Sequence, residues 1–100
     1  MAWPFTSVGA PNLDTGPGAV VPTSPGVITA NQAWLLGAHF LNGSAQKRVV
    51  TITDTAGAIL DEIPIPAGAE QPYEWPFRPT LGVKWFANGA DVTGQVWGYE

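Results

Sequence analysis

Hydrophobic and polar residues alternate along most of the chain after residue 26, and this period of two is typical of β-strands. The last run shows it most clearly, because Val92 and Val96 alternate with Thr93, Gln95 and Trp97. No stretch has the spacing of an amphipathic helix. The pattern predicts about seven strands, at residues 27–31, 33–41, 46–54, 58–65, 71–77, 81–87 and 92–99. Short strands at this regular spacing are typical of a β-sandwich or a barrel.

Two Asn-Gly dipeptides separate neighbouring strands of this set, at residues 42–43 and 88–89. Asn and Gly tolerate the positive φ that a type I′ turn requires, so each dipeptide predicts a hairpin between paired strands. Strand 33–41 is apolar on both faces, and we expect it to be covered on both sides. A short helix is the other structure that so short an apolar run allows.

The next strands differ in how much of them the pattern buries. Strand 46–54 has Val50 and Ile52 on one face and more polar residues on the other, so we expect it to be half-exposed. Strands 58–65 and 71–77 contain prolines, which cannot donate to a sheet ladder. Both are therefore predicted to be edge strands, protected from pairing with other chains.

The first 26 residues have a different composition from the rest. They hold five of the ten prolines and four glycines, with Asp14 as the only charged residue. Proline excludes helix interiors and central strands, so we expect an irregular, extended N-terminal arm. Its apolar residues indicate that the arm lies along a surface, its own or a neighbour's, and a frayed linker is the alternative. The predicted organisation is an arm at 1–26 and a β-sandwich domain at 27–100.

The composition points to assembly with other proteins. Charged residues make up 12% of the chain, about half of the ~25% usual in a soluble domain. Since eleven aromatic residues are present as well, we expect part of the surface to be buried against partners. The net charge is −4 and the four basic residues are dispersed, which argues against nucleic acid and anionic membranes as partners.

No reaction can be read from the residues. His39 is the only histidine, and on an apolar strand it is expected to be a satisfied core or interface residue. Catalysis by histidine also needs a nucleophile and an orienting carboxylate, and a metal site needs several convergent ligands. Asp61 and Glu62 point to opposite faces of a strand and make a poor acid–base pair. We therefore expect no enzyme, cofactor or metal; a small hydrolase would rest on His39 alone.

The aromatic residues of the last three strands are the strongest candidates for binding. Trp85 is expected in the core. Trp97 and Tyr99 share a face with polar residues, so we expect them to be partly exposed, where they can anchor a protein interface or stack on sugar rings.

Three phrases of the chain carry a family resemblance: AWLLGAHFLNGSAQKRVVTITDTAGAIL, IPIPAGAEQPYEWPF and GVKWFANGADVTGQVWGYE. With them, residues 27–100 resemble small β-sandwich virion proteins of tailed phages, notably capsid decoration (cement) proteins. The resemblance implies a jelly-roll-like antiparallel sandwich, frequently trimeric, that clamps neighbouring capsomers through loops and an extended arm. It transfers no catalytic residue.

The expected function is therefore that of a structural phage protein on the outer surface of the head, a homotrimer with the major capsid protein as partner. The residues predicted to bind partners are Trp3, Phe5 and Val8 in the arm and Trp97 and Tyr99 in the last strand. The alternative is a carbohydrate-binding or tail-tip host-recognition module, with a glycan held on Tyr73, Trp75 and Trp97.

Overall fold

The structure, a computed structural model, describes residues 13–74 and 82–100. These residues contain no helix. They form nine strands: β1 (Leu13–Asp14), β2 (Ala19–Val20), β3 (Gly26–Thr29), β4 (Trp34–Asn42), β5 (Arg48–Thr53), β6 (Ile59–Ile65), β7 (Glu70–Glu74), β8 (Val83–Ala87) and β9 (Val92–Tyr99). Strands β3 to β9 correspond one to one to the seven predicted runs.

The strands form two antiparallel sheets packed as a sandwich. In the first sheet the order is β1–β9–β4–β7, and β2 continues the edge of β1 along β9. In the second sheet the order is β3–β8–β5–β6. This is the strand order of a jelly roll, in which two Greek keys share two sheets. The predicted all-β, jelly-roll-like sandwich is confirmed.

The fold can be described as one long hairpin wound over itself. β5 pairs with β6, β4 with β7, β3 with β8, and β1 and β2 with β9. The hairpin reverses at residues 54–58, where the Asp54 carboxylate accepts hydrogen bonds from the backbone N–H groups of Ala56 and Ala58, both at 2.9 Å. Gly57 has a φ of 94° there, a conformation that glycine adopts at little cost.

Neither Asn-Gly dipeptide forms the predicted hairpin. β4 pairs with β7 and β9 but not with β5, and β8 and β9 lie in different sheets. Both dipeptides therefore carry the chain from one sheet to the other. Gly43 and Gly89 are not among the residues with positive φ, whereas Asp91 has a φ of 71°. The prediction was wrong because the two asparagines serve side-chain hydrogen bonding rather than a type I′ turn.

Asn42 is fully buried and holds the first of these crossings. Its Nδ2 lies 2.7 Å from the carbonyl oxygen of Gln46, 3.0 Å from that of Ile65 and 3.2 Å from that of Pro66. Its Oδ1 accepts hydrogen bonds from the backbone N–H and the hydroxyl of Ser44, at 2.9 and 2.7 Å. One side chain thus joins its own crossing to the end of β6.

The second crossing is tied to the first. The Asn88 Oδ1 accepts a hydrogen bond from the Val49 N–H at 2.9 Å, and the Gly43 N–H donates to the Asp91 carbonyl at 2.8 Å. The Arg48 Nε also donates to the Ala90 carbonyl at 3.2 Å. These bonds hold both crossings together at one end of the sandwich.

The core lies between the two sheets, where the predicted inward positions of β8 and β9 are buried. Trp85 is 5% exposed and its ring packs against Phe40 with centroids 6.2 Å apart, which confirms its core position. The prediction of a half-exposed β5 is wrong for its last residues. Thr51 and Thr53 are buried as well, because each stands directly across from a large residue on β8.

The described part of the predicted arm lies along its own sheet. β1 and β2 run beside β9, and Leu13 and Val21 are part of the core. The expectation that residues 1–26 are irregular is wrong for the four residues of β1 and β2 and for Gly26, where β3 begins. β1 precedes Pro17 and β2 follows it. Each strand is two residues long and excludes the proline, which has no N–H to donate to β9.

The two predicted edge strands are confirmed. β6, which contains Pro64, ends the second sheet, and β7, which contains Pro72, ends the first. The missing N–H of proline makes each of these edges a poor template for another strand.

Candidate binding face on the first sheet

The outer side of the first sheet carries the most varied set of exposed functional groups among the described residues. Residues directly opposite each other in an antiparallel pair point to the same side, so the register of β9, β4 and β7 defines this surface. We call it the Trp97 face, and it comprises Asp14, Val20, Gly37, His39, Leu41, Glu70, Pro72, Glu74, Thr93, Gln95, Trp97 and Tyr99.

A register shift in β4 decides which of its residues belong to this face. The pairing with β9 shifts between Leu35 and Gly37, so Leu35 is fully buried while His39 and Leu41 point outward. The expectation that β4 is covered on both sides is therefore wrong. The extra residue of a β-bulge reverses the alternation that the sequence shows.

Trp97 is half-buried because its ring packs over Gly37. A Cβ added at Gly37 would lie 2.6 Å from Cζ2 and 2.9 Å from Cε2 of the indole, so only glycine leaves room for the ring in this position. The Nε1 atom of the same ring edge lies 3.3 Å from such a Cβ, so this edge of the indole faces the Gly37 backbone.

Asp14 and Gln95 form a second fixed group beside Trp97. The Gln95 Nε2 donates to the Asp14 Oδ1 at 2.9 Å, and the Gly16 N–H donates to the same oxygen at 2.8 Å. These two hydrogen bonds, first that from Gln95, hold the pKa of Asp14 below its usual value. Thr15 is bonded to Val96 through its backbone and its hydroxyl, so this part of the arm is anchored on β9.

His39 and Glu70 lie on the other side of Gln95. The His39 Nε2 is 3.5 Å from a carboxylate oxygen of Glu70, and the two side chains are 45% and 67% exposed. An ion pair this exposed contributes little to stability. Of the two expected positions of His39, core or interface, the core is wrong, because the bulge in β4 places His39 on the outer side of the sheet, and the interface stays a prediction.

A shallow depression of about 210 Å³ lies between these groups. Its wall is formed by Pro17 and Gly18 of the arm, and it is lined by His39, Leu41, Glu70, Thr93, Gly94 and Gln95. Asp14, Glu70 and Glu74 make the surroundings acidic, and within residues 13–74 and 82–100 no lysine or arginine belongs to the face. The depression thus offers hydrogen-bonding groups in an environment that repels anions.

The predicted site residues fall into three groups. Trp97 and Tyr99 lie on this face, half-exposed as expected, and their role in binding stays a prediction. The arm residues Trp3, Phe5 and Val8, and also Trp75, lie outside the described residues. Tyr73 pairs with the buried Ala38 and packs against the core, so it points away from Trp97. The predicted sugar platform of Tyr73, Trp75 and Trp97 is therefore wrong in its Tyr73 component.

The alternation of β9 predicted that Gln95 shares a face with Trp97, which is confirmed. The sequence analysis missed Asp14 and Glu70 as members of the face. Asp14 and Glu70 come from strands whose partners the sequence did not reveal.

Other kinds of site have no support in the described residues. Across residues 13–74 and 82–100, no three histidine or carboxylate side chains come together as a metal site would require. In the same residues no helix has the length and apolar character needed to cross a membrane. No family model, curated protein or solved structure matches the chain, so function has to be inferred from its own chemistry and from the resemblance given above.

Proposed function

We propose that the chain is a structural, non-enzymatic protein of a phage particle, a decoration protein on the outer surface of the head. It binds the major capsid protein as a homotrimer and stabilises the head by bridging neighbouring capsomers. The observation that carries the proposal is the low content of charged residues, 12% of the chain, together with the half-exposed Trp97 and Tyr99 on one face. The jelly-roll fold and the resemblance to phage virion proteins agree with it.

Burial of apolar surface supplies the binding energy in this proposal. An interface of about 1,000 Å² corresponds to roughly 25 kcal/mol of gross hydrophobic stabilisation. Association and side-chain ordering offset much of that, and simultaneous attachment to several capsomers restores affinity through avidity. The acidic Trp97 face favours a partner surface with basic residues.

The direct test is the position and copy number of the chain in virions of the phage that encodes it. Immunogold labelling is expected to mark the head, and quantitative mass spectrometry to find hundreds of copies per particle. Light scattering of the purified protein is expected to give three times the 10.5 kDa of one chain. Absence from virions, or a few copies at the tail tip, would contradict the proposal.

The role of residues 1–12 in binding is better tested by point substitutions than by deletion of the arm. Removing residues 1–26 would also remove Leu13 and Val21 from the core, so loss of binding would then have two causes. Alanine at Trp3, Phe5 and Val8 in the full chain keeps Leu13 and Val21 in place and is expected to lower occupancy on heads. Unchanged occupancy would exclude these three residues as anchors.

A further inference from the structure

We propose that the Trp97 face holds a binding site for a neutral oligosaccharide, with one sugar ring in the depression beside His39 and Gln95 and the next on Trp97. This inference competes with the proposed function for Trp97, because an indole covered by the capsid protein cannot bind sugar. It concerns the chain in solution, and its residues are the ones that the structure brings together from β4, β7 and β9.

The chemistry of the depression suits hydroxyl groups. A sugar hydroxyl both donates and accepts, so its site needs both kinds of partner. Glu70 supplies carboxylate oxygens, Gln95 keeps its Oε1 as an acceptor, and the hydroxyl of Thr93 supplies a donor. The exposed apolar surface of Leu41 and of the Trp97 ring suits the C–H side of a sugar.

The size of the site indicates a chain of sugars rather than a single large ligand. About 210 Å³ is below the ~300–1,000 Å³ of pockets that enclose a drug-sized molecule, and it corresponds to one ring. Gln95 and Trp97 are two positions apart on β9, which is roughly 7 Å along a strand. A ligand that contacts both the depression and the indole therefore has at least two rings.

Two of the contacting groups are already fixed before any ligand binds. Asp14 holds the amide of Gln95, and Asp14 is itself held by the Gly16 N–H. The close packing on Gly37 holds the indole of Trp97. Side chains held in place lose little rotamer freedom on binding, so less of the interaction energy is lost to ordering.

The charge of the face selects among sugars. Glu70 lines the depression, Asp14 and Glu74 lie on the same face, and no lysine or arginine among the described residues belongs to this face to neutralise an anionic ligand. Sialylated, sulfated and uronic acid sugars are therefore excluded by like-charge repulsion. Neutral hexose oligomers and N-acetylhexosamine oligomers are the ligand classes that remain.

The test is a titration of the full-length, 15N-labelled protein with maltohexaose, cellohexaose and chitohexaose, and with polysialic acid as an anionic probe. We expect at least one neutral probe to shift the amide signals of His39 and of residues 93–97 and the indole signal of Trp97. Glucose alone is expected to bind more weakly than its oligomers, and polysialic acid not to bind.

Variants make the test specific. Trp97→Ala is expected to lower the affinity about tenfold, which corresponds to about 1.4 kcal/mol. Gln95→Ala, which leaves the indole in place, is expected to lower it several-fold. Phe86→Ala is the matched control, because Phe86 is a half-exposed aromatic residue on the outer side of the second sheet, and it should bind like the parent.

Three results would overturn the site: no shift with any neutral probe, shifts that map to the second sheet, or unchanged binding by folded Trp97→Ala and Gln95→Ala variants. Shifts of this face with the capsid protein alone would identify a protein interface instead and would also overturn it. Failure of the sugar site leaves the virion test unaffected, because that test measures the location and copy number of the chain on particles.

Discussion

Replacing the buried Asn42 by alanine should destabilise the fold more than any change at the second Asn-Gly dipeptide. The amide has two hydrogens, shared among three carbonyl oxygens at 2.7 to 3.2 Å, and its Oδ1 accepts two further bonds. In Asn42→Ala the Ile65 carbonyl stays buried without this donor. An unsatisfied buried acceptor costs about 1–3 kcal/mol, and each lost net hydrogen bond about 1 kcal/mol.

We expect a loss of about 3 kcal/mol for Asn42→Ala, since the Ser44 and Gln46 groups are near the surface and water can replace their bonds. For a domain of this size such a loss lowers Tm by roughly 12–24 °C. Asn88→Ala removes one bond at an exposed position, that to the Val49 N–H, and should cost at most about 1 kcal/mol.

Urea unfolding followed by the fluorescence of the tryptophans measures both variants against the parent. Asn42→Asp adds a further comparison, because it keeps an acceptor for Ser44 but has no N–H to donate to the three carbonyl oxygens. It should be at least as unstable as Asn42→Ala at neutral pH. Equal losses for Asn42→Ala and Asn88→Ala would refute the view that the Asn42 amide holds the crossing.

Two further substitutions test the Trp97 face. Gly37→Ala should displace the indole, because the new Cβ would lie 2.6 Å from Cζ2; we expect a shifted Trp97 indole NMR signal and a loss of about 1–3 kcal/mol, and an unchanged signal would contradict the packing. For Asp14, whose folded pKa lies below its ordinary 3.8, the carboxylate stabilises the fold above that value, and the contribution disappears as pH falls through the folded pKa. The difference in urea midpoint between the parent and Asp14→Asn should therefore shrink in acid, and a constant difference would refute this.

The strands could be predicted from the sequence because the alternation that marks them is local. β9 shows this best, since every second residue from Val92 onward is buried. The pairing could not be predicted in the same way. Asn42-Gly43 and Asn88-Gly89 have the composition of hairpin turns, but the sheet that the next strand joins depends on residues far along the chain. β1 and β2 were missed because two residues are too few to show a period.

The candidate site was predicted only where a single strand contributes to it. The alternation of β9 placed Trp97 on an exposed face, as the structure has it. The register shift after Leu35 places His39 on the outer side of the sheet rather than in the core, one of its two predicted positions, and the sequence carries no sign of such a shift. The contact between Asp14 and Gln95 joins residues at opposite ends of the chain, which only the fold can bring together.

Because the chain folds as one long hairpin wound over itself, Leu13 lies beside Gly98. Both ends of the described chain are therefore at the same pole of the sandwich. A protein tag fused after Glu100 would therefore crowd Trp97 and Tyr99 and mask binding there. The crossings at residues 43–47, 66–69 and 88–91 occupy the opposite pole. A reporter peptide inserted at the exposed Ala67-Gly68 turn would project away from Trp97 and Tyr99, which makes that turn the better place for a label.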